Sequence, residues 1–406
     1  MSKTDRTLHD KAAAVARRLS QAGHEAYFAG GCVRDMLLGV APKDYDIATS
    51  ATAEQVRATF SRTVPIGAAF GVMQVHYAGA AFEVATFRTE HGYSDGRRPD
   101  RVEHATARED VLRRDFTING LLYDPERGAV IDWVGGQEDL AARVIRAVGR
   151  PEERFAEDRL RMLRAVRFAA RLGFDIEAGT AEAITRLAPE VRSVSAERIR
   201  EELLRTLSEG GAAAGARLLR SLGLRDAVLP EARGTLEHEA RVLDRLPPGD
   251  GVLGLAVLLH RGTGAEAEAA GRRLRLSNAE TVRLRALVAG RALADEMPSP
   301  DAAKLKRFLR HEHARALLAL WRADAEDGHG DLVAVSRCEA ALAAFSAEEL
   351  CPPRLLTGDD LMALGYRAGP SFRPALEALE DAQLRGEVAT REEAEALMAA
   401  RLGAPQ

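Results

Sequence analysis

The chain has 406 residues, 46% apolar, 29% charged and 5% aromatic, a balance that excludes one small module, a wholly disordered chain and a collagen-like repeat. Its 57 basic and 61 acidic side chains leave a net charge of −4, so bulk charge does not coat nucleic acid and any RNA site must be a local patch. No apolar run approaches the roughly 18 residues of a membrane helix, the first ten residues are unlike a signal peptide, and Cys32, Cys338 and Cys351 lie too far apart for a disulfide framework or a clustered zinc site.

A cytoplasmic protein is therefore expected. Only five of the basic residues are lysine; the arginine excess fits a GC-rich genome as well as a use of the planar guanidinium fork on phosphates and bases.

Short runs at residues 26–29, 45–48, 72–77 and 82–87 have strand length, β-branched or aromatic content and glycine or proline punctuation. Between the first two, Gly30-Gly31 ends an apolar strand and opens a helix carrying Arg34. Backbone amides without a side chain in the way can approach a phosphate there, and Arg34 adds a charged fork; a tight strand-to-helix turn gives the same pattern.

Lys43 to Thr49 follows. In an extended segment side chains alternate, so Asp44 and Asp46 share one side while Tyr45 and Ile47 share the other. Two like charges so close are costly without a cation, and hard carboxylate oxygens suit Mg²⁺, which also binds substrate phosphates. Glu83 offers a third carboxylate if Phe82 and Val84 face the core.

After Pro151 the pattern turns helical, with long periodic stretches at 156–172 and 196–207. At 100° per residue, Arg161, Arg164, Arg167 and Arg171 fall on one face and Met162, Leu163, Val166 and Ala170 on another. Asp158 and Arg161, three apart, adjoin the basic stripe; an ion pair on a solvated face would look the same. Helix breakers cluster at 210–211, 246–249, 297–300 and 351–353. Strands first and helices afterwards argue for an α+β head followed by all-α domains.

The Gly30-Gly31 turn, the Asp44-x-Asp46 strand, the run Arg113-Arg114-Asp115-Phe116-Thr117-Ile118-Asn119 and the run Glu157-Asp158-Arg159-Leu160-Arg161 together resemble the class II nucleotidyltransferases of the polymerase-β superfamily. These comprise bacterial tRNA CCA-adding enzymes, CC-adding and A-adding relatives, and bacterial poly(A) polymerases.

The resemblance implies an α+β nucleotidyltransferase head with a mixed sheet at 1–145, and all-α domains behind it: a neck at 146–210, a body at 211–330 and a tRNA-binding tail at 331–406. It implies that Asp44 and Asp46 hold two Mg²⁺ ions, with Glu83 as the third catalytic acid. Gly30, Gly31, Arg34, Arg114, Arg164 and Arg167 would hold the nucleotide, with Asp115 and Asn119 on its ribose side.

Asp158 and Arg161 would read the incoming base in place of a template. A carboxylate accepts from the exocyclic amine of cytosine or adenine and a guanidinium donates to the adjacent ring acceptor, whereas guanine and uracil present a ring N–H there. Residues 87–99 resemble the loop needed for terminal A addition, which disfavours a CC-only enzyme, and 66–72 resemble the CCA-type glycine loop apart from Phe70 and Val72.

Leu236 to His238 and Leu258 to Arg261 resemble a remnant of a His-Asp phosphohydrolase module, but Arg261 stands where its aspartate would be. Lys304 to Arg310 is a basic cluster that either touches tRNA phosphates or forms a solvated face. The expected function is CCA addition to tRNA from CTP and ATP, with no membrane partner and a homodimer as one expected assembly. An A-adding enzyme working with a CC-adding partner, a poly(A) polymerase, and a catalytically silent RNA-binding protein are the competing readings.

Overall fold

The computed structural model describes residues 3–67, 71–91, 101–297 and 300–403. They form two compact units: Met1–Ala240 with Pro248–Gly251 and Arg273–Arg275, and Arg241–Pro247 with Val252–Arg272 and Leu276–Gln406.

The first unit opens with helix α1 (Lys3–Gln21), strand β1 (Ala26–Ala29), helix α2 (Gly31–Leu37), strand β2 (Ile47–Thr49) and helix α3 (Ala53–Thr59). Strands β3 (Thr63–Gly67), β4 (Val72–Tyr77) and β5 (Ala80–Thr86) follow, then a separate hairpin of β6 (Arg88–His91) and β7 (Arg101–His104), helix α4 (Ala107–Leu112), and strands β8 (Leu122–Asp124) and β9 (Ala129–Ile131).

Seven strands make one mixed sheet in the order β3-β4-β5-β2-β1-β8-β9. Its centre is β2, antiparallel to β1 (Phe28 opposite Ile47) and parallel to β5 (Ile47 opposite Val84). Period-two alternation gives each face its own core. Phe28, Ile47, Val75, Phe82 and Val84 are buried, with α1 and α3 packed on the sheet, while Ala29, Ala48, Phe87 and Leu122 cluster with Ala107 and Val111 of α4. The strands match the expected runs closely, except that the second begins at Ile47, which leaves Asp44 and Asp46 on the irregular segment just before it.

Helix α5 (Gly136–Ala142), strand β10 (Val144–Ile145), helices α6 (Pro151–Glu157) and α7 (Leu160–Leu172), strand β11 (Asp175–Ile176), and helices α8 (Ala178–Leu187), α9 (Ala196–Ser208) and α10 (Ala212–Ser221) continue the unit. The single helix expected at 156–172 is therefore two. The break falls on Asp158, whose backbone is extended (φ −148°, ψ 105°) and whose Oδ1 accepts from the Leu160 N–H (3.0 Å). A short acceptor that satisfies the backbone of a new helix start competes well with helix continuation.

Helices α7, α9 and α10 pack on one another. At Gly211, in the left-handed region (φ +73°), a Cβ would stand 2.0 Å from the Ala170 carbonyl oxygen, so only glycine lets α10 start there.

The second unit is helical. Leu361, Leu379, Ala394 and Met398 are buried together across the helices Gly358–Ala363, Phe372–Arg385 and Arg391–Leu402. Arg307 and Arg310, expected on a phosphate-binding or solvated face, instead pair with Glu380 at 2.7 and 2.8 Å and brace two helices. Among the described residues no helix is long and apolar enough to cross a membrane.

Candidate active site

A cleft of about 960 Å³ opens in the first unit. Nine basic and five acidic side chains line it, so a chain of negative net charge carries a locally positive recess. A smaller cavity, about 630 Å³, lies wholly within the second unit around His260, Trp321 and Asp324 and holds none of the residues singled out as catalytic or nucleotide-binding.

Asp44 and Asp46 line the large cleft at the edge of the central strand. The register that sets Ile47 beside Val84 brings Glu83 next to Asp46, and Phe82 and Val84 face the core as expected while Glu83 points the other way. Asp46 is exposed at the cleft, and the protein around it still takes away part of its water. Its carboxyl is pushed up to about 6, first by loss of water, then by the charges of Asp44 and Glu83, with Arg114 pulling it down. Asp46 thus feels two like charges that Arg114 only partly offsets.

Gly30 turns the chain from β1 into α2 with φ +72°, and its N–H donates to the Leu121 carbonyl (3.1 Å). A Cβ there would lie 2.9 Å from Arg114 Nη1, so the glycine also makes room for that guanidinium. Arg114 donates to the Asn119 carbonyl (3.2 Å) and to Asp110 (3.1 Å), while its buried Nε has no partner.

The remaining polar residues form one network from α2 to α9. Buried Arg34 pairs with Asp35 (2.7 Å) and donates to Asn119 Oδ1 (2.8 Å); Asn119 Nδ2 donates to Asp115 Oδ1 (3.2 Å). Asp115 Oδ2 accepts from Arg164 Nη2 (2.6 Å) and Nε (2.8 Å). Arg164 also stands 3.6 Å from Glu202, which binds Arg167 Nε (2.6 Å), and Arg167 reaches Glu209 (3.2 Å). Burial alone would raise the Asp115 carboxyl, but Arg164 and the bonds from Arg164 and Asn119 hold it below the ordinary range. Guanidinium faces of Arg34, Arg164 and Arg167 lie 5.4, 5.3 and 4.3 Å from the Phe168 ring.

The arginine face of α7 is graded. Arg161, Arg164 and Arg171 keep 11, 32 and 29% of their side chains exposed, whereas Arg167 keeps 2% and serves as the internal counter-charge of Glu202. It is nonetheless one of the residues that line the cleft.

Asp158 and Arg161 do not pair with each other. Arg161 is held by Glu157 (2.7 Å) and by the Arg154 and Arg113 carbonyls (3.2 and 3.1 Å). Both oxygens of Asp158 engage Arg198 of α9, at 3.1 and 2.7 Å.

Of the thirteen residues singled out as catalytic or nucleotide-binding, eleven line the cleft. Glu83 and Asp158 are not among its lining residues. Asp110, Glu157, Arg198 and Glu202 also belong to the site, and sequence reasoning does not find them. Glu157, four before Arg161, and Asp110, four before Arg114, have a local signal, whereas Arg198 and Glu202 meet partners 40 and 35 residues away. Cys32 donates to the Ala29 carbonyl (3.3 Å), and burial pushes its thiol up to about 12, so it packs rather than reacts. Of the two loops at 87–99 and 66–72, residues 92–99 of the first and 68–70 of the second lie outside the described residues.

Similarity to known proteins follows this geometry. Residues 26–146 match the poly A polymerase head domain, and 173–235 match the probable RNA and SrmB-binding site of polymerase A. The chain is 49% identical over 192 residues to a CCA-adding enzyme of Lactobacillus delbrueckii subsp. bulgaricus, a match covering 47% of this chain and 48%, about half, of that relative. It is 38% identical over 396 residues, 94% of each chain, to a CCA-adding enzyme of Geobacillus stearothermophilus. A crystal structure of the Bacillus stearothermophilus CCA-adding enzyme in complex with CTP superposes with a TM-score of 0.76 at 31% identity over 98% of each chain. The Thermotoga maritima CCA-adding enzyme complexed with tRNA shares the fold, with a TM-score of 0.68 at 20% identity over 98% of this chain and 96% of that one.

Proposed function

The chain belongs to the class II tRNA nucleotidyltransferases, the family of bacterial CCA-adding enzymes and poly(A) polymerases, and we propose that it adds CCA to the 3′ end of tRNA from CTP and ATP. The observation that carries this reading is the cleft itself, where Asp44 and Asp46 meet the arginine face of α7 in a chain aligned over its length with a CCA-adding enzyme. CTP is the ligand of one similar structure and tRNA of another, which supplies the substrate classes.

Members of this family work with divalent cations, and the donor set fits one: the raised Asp46 carboxyl marks a negative cluster short of compensating charge. We assign Mg²⁺ to Asp44 and Asp46, with Glu83 beside them. Mg²⁺ bound there supplies Lewis acidity toward the RNA 3′-hydroxyl and neutralises the triphosphate in an in-line displacement of pyrophosphate.

The chain's own residues bind and orient. Arg114, unpartnered at Nε, and Arg164 and Arg171, partly exposed, meet the triphosphate from the basic side of the cleft. Gly30 and Gly31 let the nucleotide approach the backbone, Asp115 and Asn119 fix the ribose side, and Arg34 and Arg167 hold that frame through Asn119 and Glu202. Arg161 donates to the ring acceptor of cytosine or adenine and Asp158 accepts from the exocyclic amine. Residues 1–145 then act as head, 146–210 as neck, 211–330 as body and 331–406 as a tRNA-binding tail, in the cytoplasm.

Asp44→Ala tests the reading. Incorporation of labelled CTP into tRNA lacking CCA falls below about one-thousandth of wild type, an electrostatic loss of that scale, while tRNA binding by filter retention persists. Undiminished incorporation contradicts the assignment.

A further inference from the structure

Asp158 is held by a residue that no sequence neighbour supplies. Its Oδ1 accepts from the Leu160 N–H at 3.0 Å and from Arg198 Nη1 at 3.1 Å, and its Oδ2 accepts from Arg198 Nη2 at 2.7 Å. An ionised carboxylate offers about four acceptor directions. Three are taken, two of them by a planar fork that fixes the carboxylate plane as a single point charge would not. One direction on Oδ2 is left.

Both side chains are mostly buried, Arg198 at 19% and Asp158 at 16% exposure, so the fork is screened little by solvent. Arg198 sits in the first turn of α9, the helix that also presents Glu202 to Arg164 and Arg167. The helix bearing the anchor thus contacts the arginine face of the cleft.

We propose that Arg198 is a specificity-determining positioning residue: by gripping Asp158 in a bidentate pair it fixes that carboxylate with one acceptor direction left, which suits the single exocyclic amine edge of cytosine or adenine. The inference rests on the reading of Asp158 as a base-contacting group. Arg161 is steadied separately, by Glu157 and two backbone carbonyls, so losing Arg198 loosens the acceptor half of the pair and leaves the donor half in place. A brace that merely joins α9 to the α6–α7 corner would affect all four nucleotides alike.

The test compares incorporation of CTP with UTP, and of ATP with GTP, by the full-length protein in wild-type, Arg198→Gln, Arg198→Lys, Asp158→Ala and Asp158→Ala/Arg198→Gln forms. Arg198→Gln lowers the CTP:UTP ratio of kcat/KM by roughly tenfold, the scale of one misplaced hydrogen bond. Arg198→Lys, which keeps the charge and loses the fork, recovers part of it and reports even if the glutamine variant folds poorly. In the Asp158→Ala background Arg198→Gln changes the ratio no further, because the two act as one unit.

An unchanged ratio in both Arg198 variants beside a relaxed ratio in Asp158→Ala overturns this inference alone. An unchanged ratio in Asp158→Ala overturns the base-contact reading together with it.

Discussion

Asp46 shows at the scale of one residue how a site can be costly to its own fold. Its carboxyl titrates near 6 because lost hydration and the charges of Asp44 and Glu83 outweigh Arg114. A carboxyl that binds its proton more tightly when folded stabilises the fold only while protonated. The resulting penalty is absent below about pH 3.8, grows as the pH rises through 6 and is complete above it. Asp46→Asn should therefore raise the melting temperature at pH 7.5 in the absence of metal, by a margin that shrinks to nothing near pH 4, while abolishing nucleotide incorporation. Added Mg²⁺ should stabilise the wild type and leave the variant unmoved, because only a ligand-competent site gains from mass action. Calorimetric scans at the two pH values check both.

The base-reading pair makes a second prediction at this scale. Asp158→Ala should relax discrimination of CTP against UTP with little effect on tRNA affinity, measured by competition between labelled nucleotides. That Asp44 and Asp46 share one side is legible in residues 43–49 alone: exposed Asp44 and Asp46 alternate with buried Tyr45 and Ile47 although the strand itself begins only at Ile47. The partner of Asp158 is not legible: Arg198 lies 40 residues away, and nothing in either segment encodes a contact across helices.

At the scale of elements, the strands are readable because each buried residue announces itself by alternation. The stretch 156–172 reads as one continuous helix and is not. Its apolar period runs through Asp158, and only the carboxylate's bond to the Leu160 N–H, a matter of backbone geometry, ends one helix and starts the next. The basic stripe of α7 is likewise visible as a stripe, but its internal grading is not. Arg167 resembles its neighbours in sequence and differs in having Glu202 packed against it at 2.6 Å. Arg167→Ala leaves that buried carboxylate with a weaker partner 3.6 Å away. The expected loss is about 3 kcal/mol of stability, read as a lower urea midpoint, whereas Arg171→Ala, at a partly exposed position of the same face with only long ion pairs, should cost less than about 1 kcal/mol.

For the whole molecule, composition and site point in opposite directions. The chain carries −4 overall, while the cleft has four more basic than acidic residues. If that excess meets four phosphates, raising salt from 50 to 200 mM should weaken tRNA binding on the order of a hundredfold, a fall that filter binding at four salt concentrations would trace. A flat salt response would place RNA elsewhere on the protein. The family is legible from four short motifs because they lie on the chain in a fixed order.

The most direct test gives the purified protein, with Mg²⁺, three tRNA transcripts ending before CCA, after C and after CC, each with CTP and ATP. The account predicts that all three are completed to CCA and then left alone. Extension of only the CC-ended transcript by one A would contradict it in favour of an A-adding enzyme, and unlimited A tracts would contradict it in favour of a poly(A) polymerase.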